Sequence, residues 1–506
     1  MDNKKSLLNI SVSIFFKIVV LLLTLMTRRV LIQVVGNTAN GLLSLYTSII
    51  GFLAIADLGV GSAISFCMYK PIVDNDNKTV SALYRLFIKI YTIIALIILI
   101  VGLLVTPILP IIAKDYGNIN IYSTFVIMLL SVVLSYFYSA KVSVINAYKN
   151  NYITTIIMSI SLVFESVLQI VLLYIFKSFE MYLFCKVLSQ ILQWILTSIY
   201  FNKHHKILFQ YNNKLDIYTK KEVNKKTKAM FLHKIGTLLV NTCDSIIISA
   251  FIGVVILGKY SNYTVIITSM NSILVLFFTP LTSIIGHLCI EANVETQKKY
   301  FNFFYGLNFT LGIIFYLGYF SIIDDLINVV FGSNLTLSKD VSFIITLNYF
   351  IQFMRTSTLT FRDATGTFYY DRFKPLFEGV LNLILSLLFV VKFGIVGVLV
   401  ATIITNIVIC HIVEPYVLYK HSFNSNPKKY FVVNYVFILI FVVFLLVLSF
   451  CHIELHNYWL NILVNGLISV SISTIPVFIM FFYNKDYREE VSALIKKIHK
   501  KIMIRR

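Results

Sequence analysis

The sequence predicts an all-α polytopic membrane protein with about 14 transmembrane helices. Of the 506 residues, 58% are hydrophobic and only 13% charged, and the mean hydropathy is +0.84. A soluble domain is about 45–50% apolar and about 25% charged, and could not bury this much apolar surface. The apolar residues also come in runs of about 20, the length a helix needs to cross the hydrocarbon core. The runs are helical in length and the loops too short for a barrel. With 20 Gly, 8 Pro and 6 Cys, collagen-like, disordered and disulfide-rich classes are excluded.

Fourteen runs lie near 7–34, 41–66, 83–109, 119–140, 152–176, 180–201, 231–252, 260–286, 300–323, 341–361, 374–391, 394–413, 430–451 and 459–483. The apolar part of the first, Leu7 to Met26, is followed by Arg28 and Arg29 rather than a small-residue cleavage site, so it reads as a span and not a cleaved signal. Lys392 and Gly394 mark a tight turn between the eleventh and twelfth. The six cysteines lie in or beside apolar runs without a CxxC pair, and read as small apolar residues.

Net charge is +20, but the basic residues follow topology, so nucleic acid is not the expected partner. With the N-terminus inside, 33 of the 43 Lys and Arg fall on inner segments and five on outer loops. That asymmetry puts both termini in the cytoplasm. The expected organisation is a six-helix lobe over 1–201, a basic cytoplasmic linker over 202–230 and a second six-helix lobe over 231–420. Two extra spans follow over 421–483, then a basic amphipathic tail over 484–506. In the linker, His204 and His205 lack a third ligand at metal spacing. In the tail, Val491, Leu494, Ile495, Ile498 and Ile502 share one helical face, a pattern suited to an anionic membrane surface.

An internal repeat supports two pseudo-symmetric bundles. Val35–Thr47 and Ile252–Thr264 share Gly36/Gly253, Gly41/Gly258, Ser44/Ser261, Tyr46/Tyr263 and Thr47/Thr264. Six spans per repeat leave equivalent spans parallel, the arrangement of transporters that work by alternating access.

Charges at membrane depth are costly and mark cavities or ion pairs. The candidates are Arg28 and Arg29 on span one, Asp57 on span two, Glu165 on span five, Asp244 on span seven, Arg355 on span ten and Glu378 on span eleven. Lys17 and Lys186 also lie within spans, and Arg362 and Asp363 close span ten. Arginine binds phosphate through a planar fork and stays charged. A lumen holding several would suit a diphosphate and disfavour cationic drugs.

The segments Glu378–Thr405, Leu58–Ile72, Asp244–Ile266 and Arg362–Gly379 resemble polysaccharide and O-antigen flippases of the Wzx type, in the multidrug/oligosaccharidyl-lipid/polysaccharide exporter superfamily. The resemblance implies a transporter, not an enzyme. Its substrate would be an undecaprenyl-diphosphate-linked oligosaccharide, moved across the membrane for capsule, O-antigen or similar assembly, with membrane lipids and a polysaccharide polymerase as partners. The cationic lumen would involve Arg28, Arg29, Arg355, Arg362, Asp57, Glu165 and Glu378. No cofactor is implied beyond a coupling Na⁺ or H⁺. Related lipid II flippases hold sodium at positions matching Asp244, Asn382, Thr402 and the carbonyl of Val398, which are suitable hard-cation ligands. Asn382 and Thr402 equally suit an interhelical hydrogen bond. The alternatives are a cation-coupled multidrug exporter of the same superfamily, or a membrane glycan polymerase or glycosyltransferase built on Asp74/Asp76 or Asp324/Asp325.

Overall fold

The computed structural model describes residues 3–57, 60–211, 215–216, 220–221, 223 and 242–504. All regular elements among them are helical. The chain forms two compact units, Met1–Ser261 and Asn262–Arg506.

The first unit contains α1 (Asn3–Val34), α2 (Asn37–Leu53), α3 (Val60–Val73), α4 (Asn77–Val105), α5 (Ile121–Ala147), α6 (Asn151–Phe176) and α7 (Phe179–His204). It also holds α8 (Thr242–Phe251) and the first residues of α9 (Val254–Glu291). The second unit contains the rest of α9, then α10 (Val294–Val330), α11 (Lys339–Met354), α12 (Thr356–Ala364), α13 (Lys374–Thr405), α14 (His411–His421), α15 (Lys428–Phe450), α16 (Tyr458–Tyr483) and α17 (Lys485–Ile504). Eight helical stretches among the described residues are long and apolar enough to cross a membrane. The other expected spans map onto α1, α2–α3, α8–α9 and α11–α12. About half of the expected linker, and residues 231–241 of the seventh span, lie outside the described residues.

Four expected spans depart from straight helices. Span two is broken: α2 stops, Ala54–Asp57 form a 3-10 turn, and α3 restarts at Val60. Span ten breaks at Arg355, which ends α11 and precedes α12. Spans eleven and twelve run on as α13, kinked at Gly394 (φ 57°, ψ −137°), a conformation closed to residues with a Cβ. A π-helical turn, Asn406–Cys410, then joins α13 to α14.

The repeat glycines have a concrete role. Gly36 and Gly253 both turn the chain with positive φ just before α2 and α9. Gly41 and Gly258 sit where α2 meets the start of α9. A Cβ on Gly41 would run into the carbonyl of Val254, and one on Gly258 would stand 2.6 Å from that of Asn37. The crossing is tied by Asn37 Nδ2 to the Val255 carbonyl at 2.8 Å and Asn40 Nδ2 to the Gly258 carbonyl at 2.9 Å.

Helix α16 shows how the second unit is sorted in lipid. Asn461, Asn465, Ser469 and Ser473 recur every four residues and are buried. Asn461 Nδ2 donates to Asp325 Oδ1 at 3.0 Å and Ser321 Oγ to the Asn465 carbonyl at 2.7 Å, both residues on α10. The opposite face exposes Leu460, Leu463, Leu467 and Val470. Lipid tails are as apolar as leucine, so small and polar residues hold the helices together while leucines face outward. The tail helix α17 starts by docking on α10. Tyr487 packs on Gly306, its hydroxyl accepts from Thr310 at 3.0 Å, and Asn302 donates to Asp486 at 2.8 Å. Within the expected apolar face of α17, Ile495 is exposed, and the side chains of Leu494, Ile498 and Ile502 lie outside the described residues.

Candidate functional site

The densest buried charge lies in the second unit, around the break at Arg355. Because the helix stops there, the Arg355 side chain can reach across to α14. Its Nε and Nη2 donate to the two carboxylate oxygens of Glu414 at 3.0 and 2.6 Å, a bidentate fork. Nη1 donates to Asn406 Oδ1 at 2.7 Å and stands 3.7 Å from Glu378 Oε1. Lys374 Nζ bridges Glu414 at 2.6 Å and Glu378 at 2.8 Å. Two cations therefore face two carboxylates, and the group is neutral as a whole. Glu414 is 1% exposed and Arg355 14%. The π-turn presents Asn406 to the fork, in keeping with the tendency of such bulges to occur at functional sites.

A hydrogen-bonded seam extends along α13. Asn406 Nδ2 donates to the Thr402 carbonyl at 3.0 Å, Asn382 Nδ2 to Thr402 Oγ1 at 2.9 Å, and Thr402 Oγ1 to the Val398 carbonyl at 3.3 Å. Beside it, buried His411 bonds the Ile351 carbonyl through Nε2 at 2.9 Å and Asn434 Nδ2 through Nδ1 at 3.0 Å. Those partners assign the neutral tautomer with the proton on Nε2. Arg362 forms a separate pair with buried Asp371 at 2.7 Å and with exposed Asp363 at 3.0 Å.

This changes the picture of the arginines. The sequence suggested that Arg355 and Arg362 offer their forks, with Glu378, to a wet lumen. In the structure both guanidiniums are engaged by protein carboxylates, because a charge at this depth is stable only when paired and hydrogen-bonded. The partners missed by sequence reasoning are Glu414, Lys374, Asn406 and Asp371. Glu414 falls one residue past the twelfth apolar run, and Lys374 reads as an inner-loop cation. The intrusion of Glu414 beside Pro415 in a strongly apolar stretch was the available signal.

In the first unit, Arg28 on α1 donates through Nη1 to the Ser261 carbonyl at 2.7 Å and to Ser261 Oγ at 3.2 Å. The next residue, Arg29, is exposed. Asp57 ends the 3-10 turn that breaks span two, and Asp244 lies near the start of α8. Buried Glu165 on α6 pairs with half-buried Lys186 on α7 at 2.9 Å and accepts from Gln169 at 3.2 Å. Of the residues expected to hold a coupling ion, Asn382, Val398 and Thr402 come together on α13, while Asp244 belongs to the first unit. The described residues contain no group of three or more His, Cys, Asp or Glu arranged to hold a metal.

Of the acids considered for catalysis, Asp76, Asp324 and Asp325 are engaged structurally and Asp74 is exposed. Asp76 caps α4, accepting from the Thr79 amide at 3.1 Å, and hydrogen bonding from the Thr79 hydroxyl and then its amide holds the carboxyl below the usual range. Asp324 accepts from Tyr263 at 2.5 Å and from Ser342 at 3.1 Å. His204 bonds the Tyr200 carbonyl at 3.0 Å, and His205 is buried against Tyr148 and Phe201.

No protein-family model matches the sequence, and no curated protein is similar to it in sequence. Among solved structures, the chain is similar to the lipid II flippase MurJ in its inward closed conformation, at 16% identity and a TM-score of 0.63, covering 96% of this chain and 100% of that one. It is also similar to a multidrug resistance MATE family transporter of the MOP superfamily, facing inward, at 13% identity and 0.62, covering 81% and 98%. A MATE transporter in complex with MaL6 matches at 13% identity and 0.54, covering 83% and 96%. These likenesses establish the fold: a multi-pass, all-α membrane protein with the helical architecture of those structures.

Proposed function

We propose that the chain is a flippase that carries a polyprenyl-diphosphate-linked oligosaccharide across the bacterial cytoplasmic membrane by ion-coupled alternating access, for capsule, O-antigen or related surface polysaccharide assembly. The observation that carries this reading is the extent of the likeness. A lipid II flippase matches over 96% of this chain, whereas the MATE transporters cited above match over 81–83%. The shortfall is about the size of α15–α17, an addition suited to a lipid-borne substrate.

In this reading the diphosphate is held by Arg28 and Arg29, with Asp57 at the break of span two. Arg355, Arg362, Glu165 and Glu378 act through their neutral pairs, fixing helices that must move as bodies. Asn382, Thr402 and the Val398 carbonyl in the second unit, and Asp244 in the first, are the proposed coupling-ion residues, for Na⁺ with H⁺ as the alternative ion.

The test uses full-length protein in proteoliposomes carrying a fluorescent polyprenyl-diphosphate oligosaccharide, read by its accessibility to a membrane-impermeant glycosidase. Wild type should equilibrate the lipid between leaflets, Arg29→Ala should slow it at least about tenfold, and Arg29→Lys should recover part of the rate, since lysine lacks the fork. Loss of the sodium-gradient dependence in Asp244→Asn would support the ion assignment. Efflux of cationic dyes with no lipid transfer would replace this reading with the multidrug one.

A further inference from the structure

We propose that a cavity at one end of the second unit, between α10, the α14–α15 turn and the α16–α17 junction, binds the phosphate of an anionic phospholipid. Its volume is about 450 Å³, within the roughly 300–1,000 Å³ of typical ligand sites. The basic-residue asymmetry puts this end at the cytoplasmic surface.

Three lysines from three elements line it: Lys298 on α10, Lys429 on α15 and Lys485 on α17. Among the described residues, Lys298 and Lys429 have no carboxylate within ion-pair distance, and Lys485 has only Glu489 at 3.8 Å on its own helix. The acid lining the cavity, Asp486, is already taken by Asn302 at 2.8 Å. Ser425 Oγ lies buried in the cavity wall with no hydrogen-bond partner among the described residues. The wall is rigid. Tyr430 is hydrogen-bonded to Thr358 at 3.1 Å and Tyr305 donates to Asn434 at 3.3 Å, so these rings are fixed before any ligand arrives. A pre-formed cavity with surplus positive charge and an unused hydroxyl calls for a compact oxyanion.

The surroundings select a lipid as its source. From the cavity, Val432, Val436, Leu439 and Val443 form an exposed stripe along α15, and Phe478 and Phe482 another along α16. A phosphate seated among the lysines would lay its acyl chains on these stripes, while free phosphate would use none of them. A lipid in this position would tie the extra helices and the tail to α10. The proposal is independent of what the protein transports.

The test is thermal unfolding and native mass spectrometry of the full-length protein in detergent, titrated with phosphatidylglycerol, phosphatidylcholine or inorganic phosphate. Phosphatidylglycerol should raise the Tm, and the other two should not. The triple variant Lys298→Gln/Lys429→Gln/Lys485→Gln should keep the lipid-free Tm and bind phosphatidylglycerol at least about tenfold more weakly, since each lysine near an anionic surface contributes roughly a fivefold factor. The triple Lys→Arg variant should bind as wild type does. A control, Lys78→Gln/Lys89→Gln/Lys149→Gln, removes the same charge from exposed positions in the first unit and should change nothing. Equal weakening by the control would reduce the effect to net charge and overturn the site. Equal stabilisation by inorganic phosphate or phosphatidylcholine would overturn the assignment to an anionic lipid.

Discussion

Glu414→Gln tests the charge network at its centre. In the structure Glu414 accepts three charge-assisted bonds, two from Arg355 at 3.0 and 2.6 Å and one from Lys374 at 2.6 Å, at 1% exposure. The amide keeps the shape of the carboxylate but removes its charge, and it turns a donor toward two other donors. The network then carries one net positive charge in a buried region. Removing one partner of a buried pair costs about 3–5 kcal/mol. At about 2–4 °C per kcal/mol for a domain of this size, the Tm should fall by about 6–20 °C. Pairing the change with Lys374→Met restores neutrality, so the double variant should be more stable than the sum of the single effects predicts, by about 1–3 kcal/mol. The assay is thermal unfolding of purified protein in detergent, with tryptophan or thiol-dye fluorescence. A Glu414→Gln Tm within about 2 °C of wild type, or strict additivity with Lys374→Met, would refute the claim that these residues form one coupled, desolvated unit.

Two further outcomes follow from other sites. Gly258→Leu should destabilise the crossing of α2 with the start of α9 by about 1–3 kcal/mol, the cost of overpacking a closed contact, since even a Cβ there would stand 2.6 Å from the Asn37 carbonyl; an unchanged unfolding temperature would show that the contact is not closed. His205 lies outside the spans, and burial against Tyr148 and Phe201 pushes its pKa below the ordinary histidine value. Its contribution to stability is therefore complete above about pH 6.5 and is lost as pH falls through the lowered folded-state value. His205→Gln should flatten that part of the pH–stability profile, and an identical profile would remove His205 as its cause.

Much of the architecture was legible in the sequence because the membrane imposes length and polarity on every span. The apolar runs located the helices, including the kinked pair at Gly394 and the extra pair α15–α16. The repeat marked Gly36 and Gly253, which share an unusual backbone geometry. The breaks at Ala54–Asp57 and at Arg355 were not legible, because apolar composition continues through both and hydropathy is blind to a lost backbone hydrogen bond. Arg355, Glu378 and Glu165 were identified as costly, but whether each faced a cavity or a partner depended on residues tens of positions away. Glu414 supplies the partner of Arg355 59 residues away, and Lys186 that of Glu165 21 residues away, separations no local pattern can span.

The amino-acid sequence by itself determined that this chain lives in lipid, how many times it can cross and which positions carry charge at depth. These follow from transfer free energies, which act residue by residue. Only the tertiary structure decided which charges cancel. Coulomb attraction in a medium of low dielectric depends on separations of a few ångströms, and the folding of α11, α13 and α14 around one another sets those separations.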